Sequence, residues 1–417
     1  VMRFKKIKAS ALQFAILVSV ILALLLGSFI TLTHTHQFFG IQSQLFLETI
    51  SHAHAGMEQS LQSNTQIKDS IVLEQEDHTT ILKKGHWGGF LTRSSTSRSK
   101  SKSFSQMALV GSTVEEPRTA LHVADPQLPL VVVGDTKIEG AAYISDKGIK
   151  AGVISGHYYN GKELVRGPIR RSNGSLPELD SQWRTHTEQL LRPGPVLSEF
   201  MGTLKEKNTQ SFQEPSLVIY EPSTLYLVQE CIGNIILKSE TEIVVSRLAK
   251  LTDVVLIAPK ITIERGFKGN AHFLASESIK VNENVLLQYP SSLVILNTKE
   301  LEDAPIPKGK EPLYISKNSE VHGNIIYLPK TFENHSNTNV YISEDTFVQG
   351  SIYVKGNLGL AGTVMGNAYT QRFVTNEFGS RYINHIYNGK LLGNDLPNVF
   401  CGLPFQNKKK GVVKWLY

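Results

Sequence analysis

Three nine-residue segments align without gaps: VVGDTKIEG at 132–140, ISKNSEVHG at 315–323 and ISEDTFVQG at 342–350. Each opens on an aliphatic residue (Val132, Ile315, Ile342), carries a second six positions on (Ile138, Val321, Val348) and closes on a glycine (Gly140, Gly323, Gly350). A tyrosine follows each glycine at short range: Tyr143, Tyr327 and Tyr353. Between the copies, residues 254–296 keep the same style, with short β-prone runs broken by Gly, Asn, Pro or Ser-Glu turns. Val254, Leu256, Ile261, Ile263, Phe273, Ile279, Val281, Val285 and Leu287 fit one shared apolar face. Short strands at this spacing suit a β-solenoid, whose coils stack about 4.8 Å apart. Inward aliphatics of successive coils build a continuous core, and glycine serves the corners where the backbone takes a positive φ. The competing architecture is a β-sandwich, which favours longer runs joined by hairpin turns such as Asn-Gly.

The glycines at 350, 356, 359, 362 and 366 raise a second reading, a loop that cradles phosphate. Such a loop needs a strand before it and a helix after it, so that the helix N-terminus meets the anion. The continuation TVMGNAYTQRFV is β-prone and has no helical period, and no Gly-Lys-Ser/Thr is present. These glycines therefore read as corners.

Residues 14–32, FAILVSVILALLLGSFITL, are free of charge and proline. At about 1.5 Å per residue the run matches the roughly 30 Å hydrocarbon core of a bilayer. Arg3, Lys5, Lys6 and Lys8 precede it, and the bias of basic residues to the cytoplasmic side places the remainder outside. A cleavable signal peptide is the alternative, but the run is longer than its usual apolar region and no Ala-x-Ala follows. Phe14, Ile16, Leu17, Val20, Leu24, Leu26 and Phe29 are the expected lipid-facing anchor. Ile41, Leu45, Ile50, Met57 and Leu61 recur at helical spacing, so the helix is expected to continue as an amphipathic stem. A basic leader, an apolar helix and an amphipathic continuation resemble the N-terminus of bacterial type IV pilins and pseudopilins. The chain departs from that pattern in having no glycine before the apolar run and no glutamate near its start.

The Ser-, Arg- and Lys-rich residues 87–110 read either as a flexible linker or as a hairpin with strands near 87–92 and 104–110 and a loose tip; the hairpin fits the flanks better. Leu179, Trp183, Leu190, Leu191, Leu197 and Phe200 suggest one or two short helices broken by RPGP at 192–195. The expected organisation is a leader and anchor at 1–33, a stem at 34–86 and a first β region at 87–175. A helical insertion at 176–211, a β-solenoid at 212–372 and an aromatic-rich end at 373–417 follow. A solenoid needs its open end covered. Phe373, Phe378, Tyr382, Ile383, Ile386 and Tyr387 are candidates for that cap, or for a partner surface.

Little in the sequence carries bond chemistry. The formal charge of +6 lies in clusters without interleaved aromatics, which disfavours nucleic acid. Two cysteines, Cys231 and Cys401, are too few for a disulfide scaffold or a zinc site. Asp135, Glu139, Glu320, Glu344 and Asp345 are solitary rung positions, without the paired carboxylates of a glycosidase. His34 and His36, like His52 and His54, are spaced two apart and diverge on a helix, while His54 with Glu58 offers only two ligands. No Gly-x-Ser-x-Gly elbow occurs. No cofactor or metal is expected.

The glycine-punctuated rungs resemble bactofilin-like and pectate-lyase-like solenoids in architecture. VVVGDTKIEGAAYI, ITIERGFKGN near 261 and LLQYPS near 286 resemble membrane-anchored proteins of Bacteroidetes, a likeness that implies no activity. The expectation is a single-pass inner-membrane protein with a cytoplasmic N-terminus and a periplasmic body. It would serve as a scaffold or a pilus-like or secretion-associated subunit, with envelope proteins or further copies as partners. The rival expectation is a polysaccharide-processing enzyme or glycan-binding module on the same body.

Overall fold

A computed structural model describes residues 9–62, 69–75, 77–196, 200–297, 306–330 and 337–417. The leader cations Arg3, Lys5, Lys6 and Lys8, and Leu197 of the helical insertion, lie outside the described residues. The chain is mainly β, with one long N-terminal helix and one short helix.

Helix α1 (Ala9–Leu61) is 53 residues long, roughly 80 Å at the usual rise. No proline interrupts it, and hydroxyls within it are turned inward: Ser19 donates to the Ala15 carbonyl and Thr31 to that of Gly27. The apolar run therefore offers few unpaired polar groups to its surroundings. Among the described residues α1 holds the one stretch long and apolar enough to cross a membrane, a property shared by signal sequences near an N-terminus.

An antiparallel sheet receives the C-terminal turns of α1. It comprises β1 (Ser70–Gln75), β2 (His78–Trp87), β3 (Phe90–Ser99) and β4 (Lys102–Ser112). The Ser-rich stretch is thus a hairpin, and its strands run to a tight tip at Lys100, where φ is +49°. The seat of α1 consists of Thr49, Ala53, Gly56, Met57 and Ser60, all buried. This corrects the expected stem face: Met57 is in it, Ile50 and Leu61 are half-buried, and Ile41 is 66% exposed. The helix approaches through small residues because the facing sheet is close. A Cβ on Gly56 would lie 2.8 Å from Ser95 Oγ and 2.9 Å from Leu82 Cδ2. Gln106 Nε2 donates to the Ala53 carbonyl at 2.8 Å, which ties strand to helix.

The body is built on parallel ladders. The first contains β5 (Thr119–Val123), β6 (Ala141–Ile144), β7 (Ile169–Arg171), β8 (Phe200–Gly202), β9 (Leu217–Glu221) and β10 (Ile235–Ser239). It continues through β11 (Val254–Ile263), β12 (Ala271–Val281) and β13 (Leu286–Asn297). The strands β15 (Glu320–Pro329), β17 (Phe347–Leu360) and β18 (Thr363–Glu377) complete it, while β14 (Leu313–Ile315) and β16 (Val340–Ile342) belong to a second ladder. In space the order is β8, β9, β10, β11, β12, β13, β15, β17, β18, β5, β6, β7, every neighbour parallel. One register column reads Ile219, Leu237, Leu256, Phe273, Leu293, Ile325, Ile352, Ala368, Leu121, Ala142.

A second ladder passes through Leu225, Ile243, Ile261, Ile279, Leu313, Val340, Leu358 and Phe373. A third carries Leu287, Val321, Val348, Val364, Leu391 and Ile138. Side chains of all three ladders meet in one buried cluster, which includes the nine apolar residues named from 254–287. The long strands bend so that β12, β13, β15, β17, β16 and β14 close a circuit of six.

The outer face of the first ladder is covered as well. Ile236, Val255, Leu274, Val294, Ile326 and Tyr353 pack against Trp87, Phe90, Leu109 and Trp183. Trp183 belongs to α2 (Ser181–Leu190), capped by the Asp180 carboxylate, which accepts from the Trp183 amide. The expected helical insertion reduces to this one helix among the described residues, because Phe200–Gly202 and Lys207–Gln210 are strands. The last strand, β19 (Lys410–Leu416), pairs with β4 and completes the antiparallel sheet.

Candidate functional site

Phe14, Ile16, Leu17, Val20, Leu24, Leu26 and Phe29 are each at least half exposed, and this part of α1 is not covered by any described residue of the body. From Leu32 to Thr49 the same helix carries the chain, without a break, into its seat. The apolar segment and the seat therefore lie on one continuous helix.

Gly323 and Gly350 pair directly with each other, and Gly350 with Gly366. Their φ angles are +145° and +151°, a region that L side chains rarely adopt. A Cβ on Gly323 would fall 1.9 Å from the Ser291 carbonyl oxygen, and one on Gly350 equally close to that of Gly323. Backbone presses on backbone here, which leaves no space for a ligand at these two positions. Gly140 is also at positive φ, +127°, next to the Arg118 carbonyl.

The aromatic C-terminal residues divide. Phe373 is fully buried in the core, opposite Leu358. Phe378, 56% exposed, stacks on His157 at 5.4 Å, and Tyr387 meets the same imidazole at 5.9 Å. Tyr382 lies against His385. The expected terminal cap is corrected by the strand order: β5, β6 and β7 continue the ladder beyond β18, so residues 373–417 do not lie at its end. Strands here do not stack in chain order.

Two polar constellations were not visible in the sequence. Beneath α2, Lys84 Nζ and Asp180 Oδ2 form a half-buried ion pair at 2.7 Å. His86 and His186 stack beside it at 5.0 Å, and Arg93 and Lys410 are buried nearby. Burial, then His186 and Lys84, push the His86 pKa down to about 4; burial brings Lys410 down to about 8. Three cationic side chains and two neutral imidazoles thus share one carboxylate. These residues are scattered from 84 to 410, so no local motif announces them.

The second constellation lines a cleft of about 300 Å³. The Arg170 guanidinium sits 5.8 Å from the Tyr143 ring, Tyr143 stacks on His122 at 5.4 Å, and His122 meets Tyr369 at 5.9 Å. These contacts follow the ladder register, so the rings serve one another's faces. Glu115 and Glu116 at the rim are each engaged, by Lys408 at 3.0 Å and Arg118 at 2.9 Å. Elsewhere His272 Nδ1 and Ser292 Oγ lie 3.0 Å apart, but both residues are wholly buried. Burial, with Lys414 adding to it, drives the His272 pKa down to about 3, so this pair is a core hydrogen bond at neutral pH.

Cys231 and Cys401 are free, separate and buried. His52 stacks on His78 at 4.3 Å, a contact between α1 and β2. Among the described residues no group of three or more His, Cys, Asp or Glu is arranged to hold a metal ion.

No protein-family model and no curated protein matches the chain. Among solved structures it is similar to the competence-associated pilin ComZ from Thermus thermophilus, at 11% identity over 89% of this chain and 97% of that one. The TM-score is 0.23, a level of superposition from which neither fold nor function carries over.

Proposed function

We propose that this chain is a membrane-anchored, extracytoplasmic structural subunit of the bacterial envelope, with a β-solenoid body. It works as a scaffold or as a subunit of a pilus-like or secretion-associated assembly, through its shape and the surfaces it presents. The observation that carries the reading is the continuity of α1, whose naked apolar segment and buried seat belong to one helix. About 17 residues separate Leu32 from Thr49, a stiff stem of roughly 25 Å that holds the body clear of a bilayer. Three parallel ladders around a shared aliphatic cluster support the solenoid. The four basic residues before the apolar run support a cytoplasmic N-terminus.

The test is fractionation of the full chain expressed in a Gram-negative host. The body is expected in the membrane fraction, degraded by protease added to spheroplasts and resistant to alkaline extraction. Replacing Leu24 and Leu26 with Lys should release it from the membrane. Protection of the body from external protease, or membrane retention of that variant, overturns the reading.

A further inference from the structure

The two ends of the ladder stack are alike in one respect: among the described residues, each presents parallel strands that have a ladder partner on one side only. At one end these are β7, which pairs with β6, and the strand Ile149–Ala151, which pairs with Leu130–Val133. At the other end, among the described residues, the strand Lys207–Gln210 pairs only with Glu230–Gly233, and Leu225–Leu227 only with Glu242–Val245. An open strand edge with free donors and acceptors is a template for a further strand. Because every neighbour in the stack is parallel, the two ends run in the same direction. A second copy shifted along the stack therefore meets the first with its strands correctly oriented.

Charge favours that partner. Residues 145–171, which form the first end, hold six basic and two acidic side chains. Residues 200–230, which form the second, hold two basic and four acidic. Each end also exposes apolar side chains: Ile169 at the first, Met201 and Tyr226 at the second.

We infer that copies of this chain join head to tail through these ends, the acidic end of one on the basic end of the next. The inference rests on the solenoid reading of the body. Such a contact is heterologous and does not close, so it propagates as a filament. Twelve strands lie in the first ladder, which sets the axial repeat at roughly 58 Å per copy at about 4.8 Å each.

The register supplies the test. Ile169 and Gly202 occupy the same column, so continuing it sets Arg170 of one copy opposite Thr203 of the next. The full chain in detergent, carrying Arg170→Cys and Thr203→Cys together, is treated with a mild oxidant. A ladder of covalent multimers is expected, weakened in high salt, while either single variant stays monomeric. Monomers from the double variant overturn the inference, as do covalent dimers from Arg170→Cys alone, which mark a symmetric contact. A second pair, Tyr226→Cys with Val244→Cys, reports on the body itself, because these residues are ladder neighbours. If that bridge forms within the chain and no multimers appear, only the head-to-tail contact fails. If it does not form, the solenoid reading fails and takes the contact with it.

Discussion

At the scale of single residues, the strictest demands are steric and fall on the backbone. Gly350 cannot accept a side chain for two independent reasons: its φ of +151° and the Gly323 carbonyl 1.9 Å from where a Cβ would sit. Gly148 has only the first, with φ at +74° and open space around it. Gly148→Ala should cost about 1 kcal/mol, the price of the conformation alone. Gly350→Ala should cost about 3 kcal/mol or more, because a rung must also shift. Urea midpoints of the two variants would settle the comparison, and equal losses would mean that the stacked glycines are not in contact. The repeats that end at 323 and 350 were legible in the sequence for this physical reason. A contact that tolerates no Cβ leaves the same letter at the same spacing wherever it recurs.

At the scale of elements, what could be read depended on whether the contact leaves an apolar pattern. The bilayer-length run of α1 and the hairpin of β3 and β4 did, as did the helical spacing of Leu179, Trp183 and Leu190 around α2. The seat of α1 did not, because Ala53, Gly56 and Ser60 fit there by being small, and small residues draw no apolar stripe along a helix. Nor did the polar layer under α2, whose members come from distant parts of the chain. That layer makes α2 sensitive to acid. His86 is held below its ordinary value by burial, by His186 and by Lys84, and burial lowers His186 too. Both therefore bind fewer protons folded than unfolded, so stability rises with pH across the window from about 4 to 6.5 and is lost as the pH falls through it. Urea denaturation between pH 7.5 and 4.5 should show that slope, and His86→Gln should flatten it. An unchanged slope in the variant would place the acid sensitivity elsewhere.

At the scale of the whole molecule, chain order and spatial order part company, and no local pattern encodes this. The short-strand style of residues 254–296 and 315–350 was plain, but β5, β6 and β7 come early in the chain and stack beyond β18. Residues 385–392 fill rung positions between β18 and the first β region: Leu391 lies between Val364 and Ile138, and Ile386 opposite Val132. A terminal cap and an inserted rung make opposite demands on the same sequence. If 373–417 were a lid, its buried residues would be dispensable to the core and its exposed aromatics would matter most. As a rung, Leu391 is completely buried and holds two halves of the third ladder together, whereas Phe378 is 56% exposed. Leu391→Ala should then cost about 2–5 kcal/mol, comparable to Val321→Ala in mid-ladder once allowance is made for the smaller side chain. Phe378→Ser should stay within about 1 kcal/mol of the parent, losing only its stacking on His157. Thermal melts of the three variants decide between the two pictures. A large loss at Phe378 beside a small one at Leu391 would return this segment to the end of the stack and remove the strand order on which the head-to-tail contact depends.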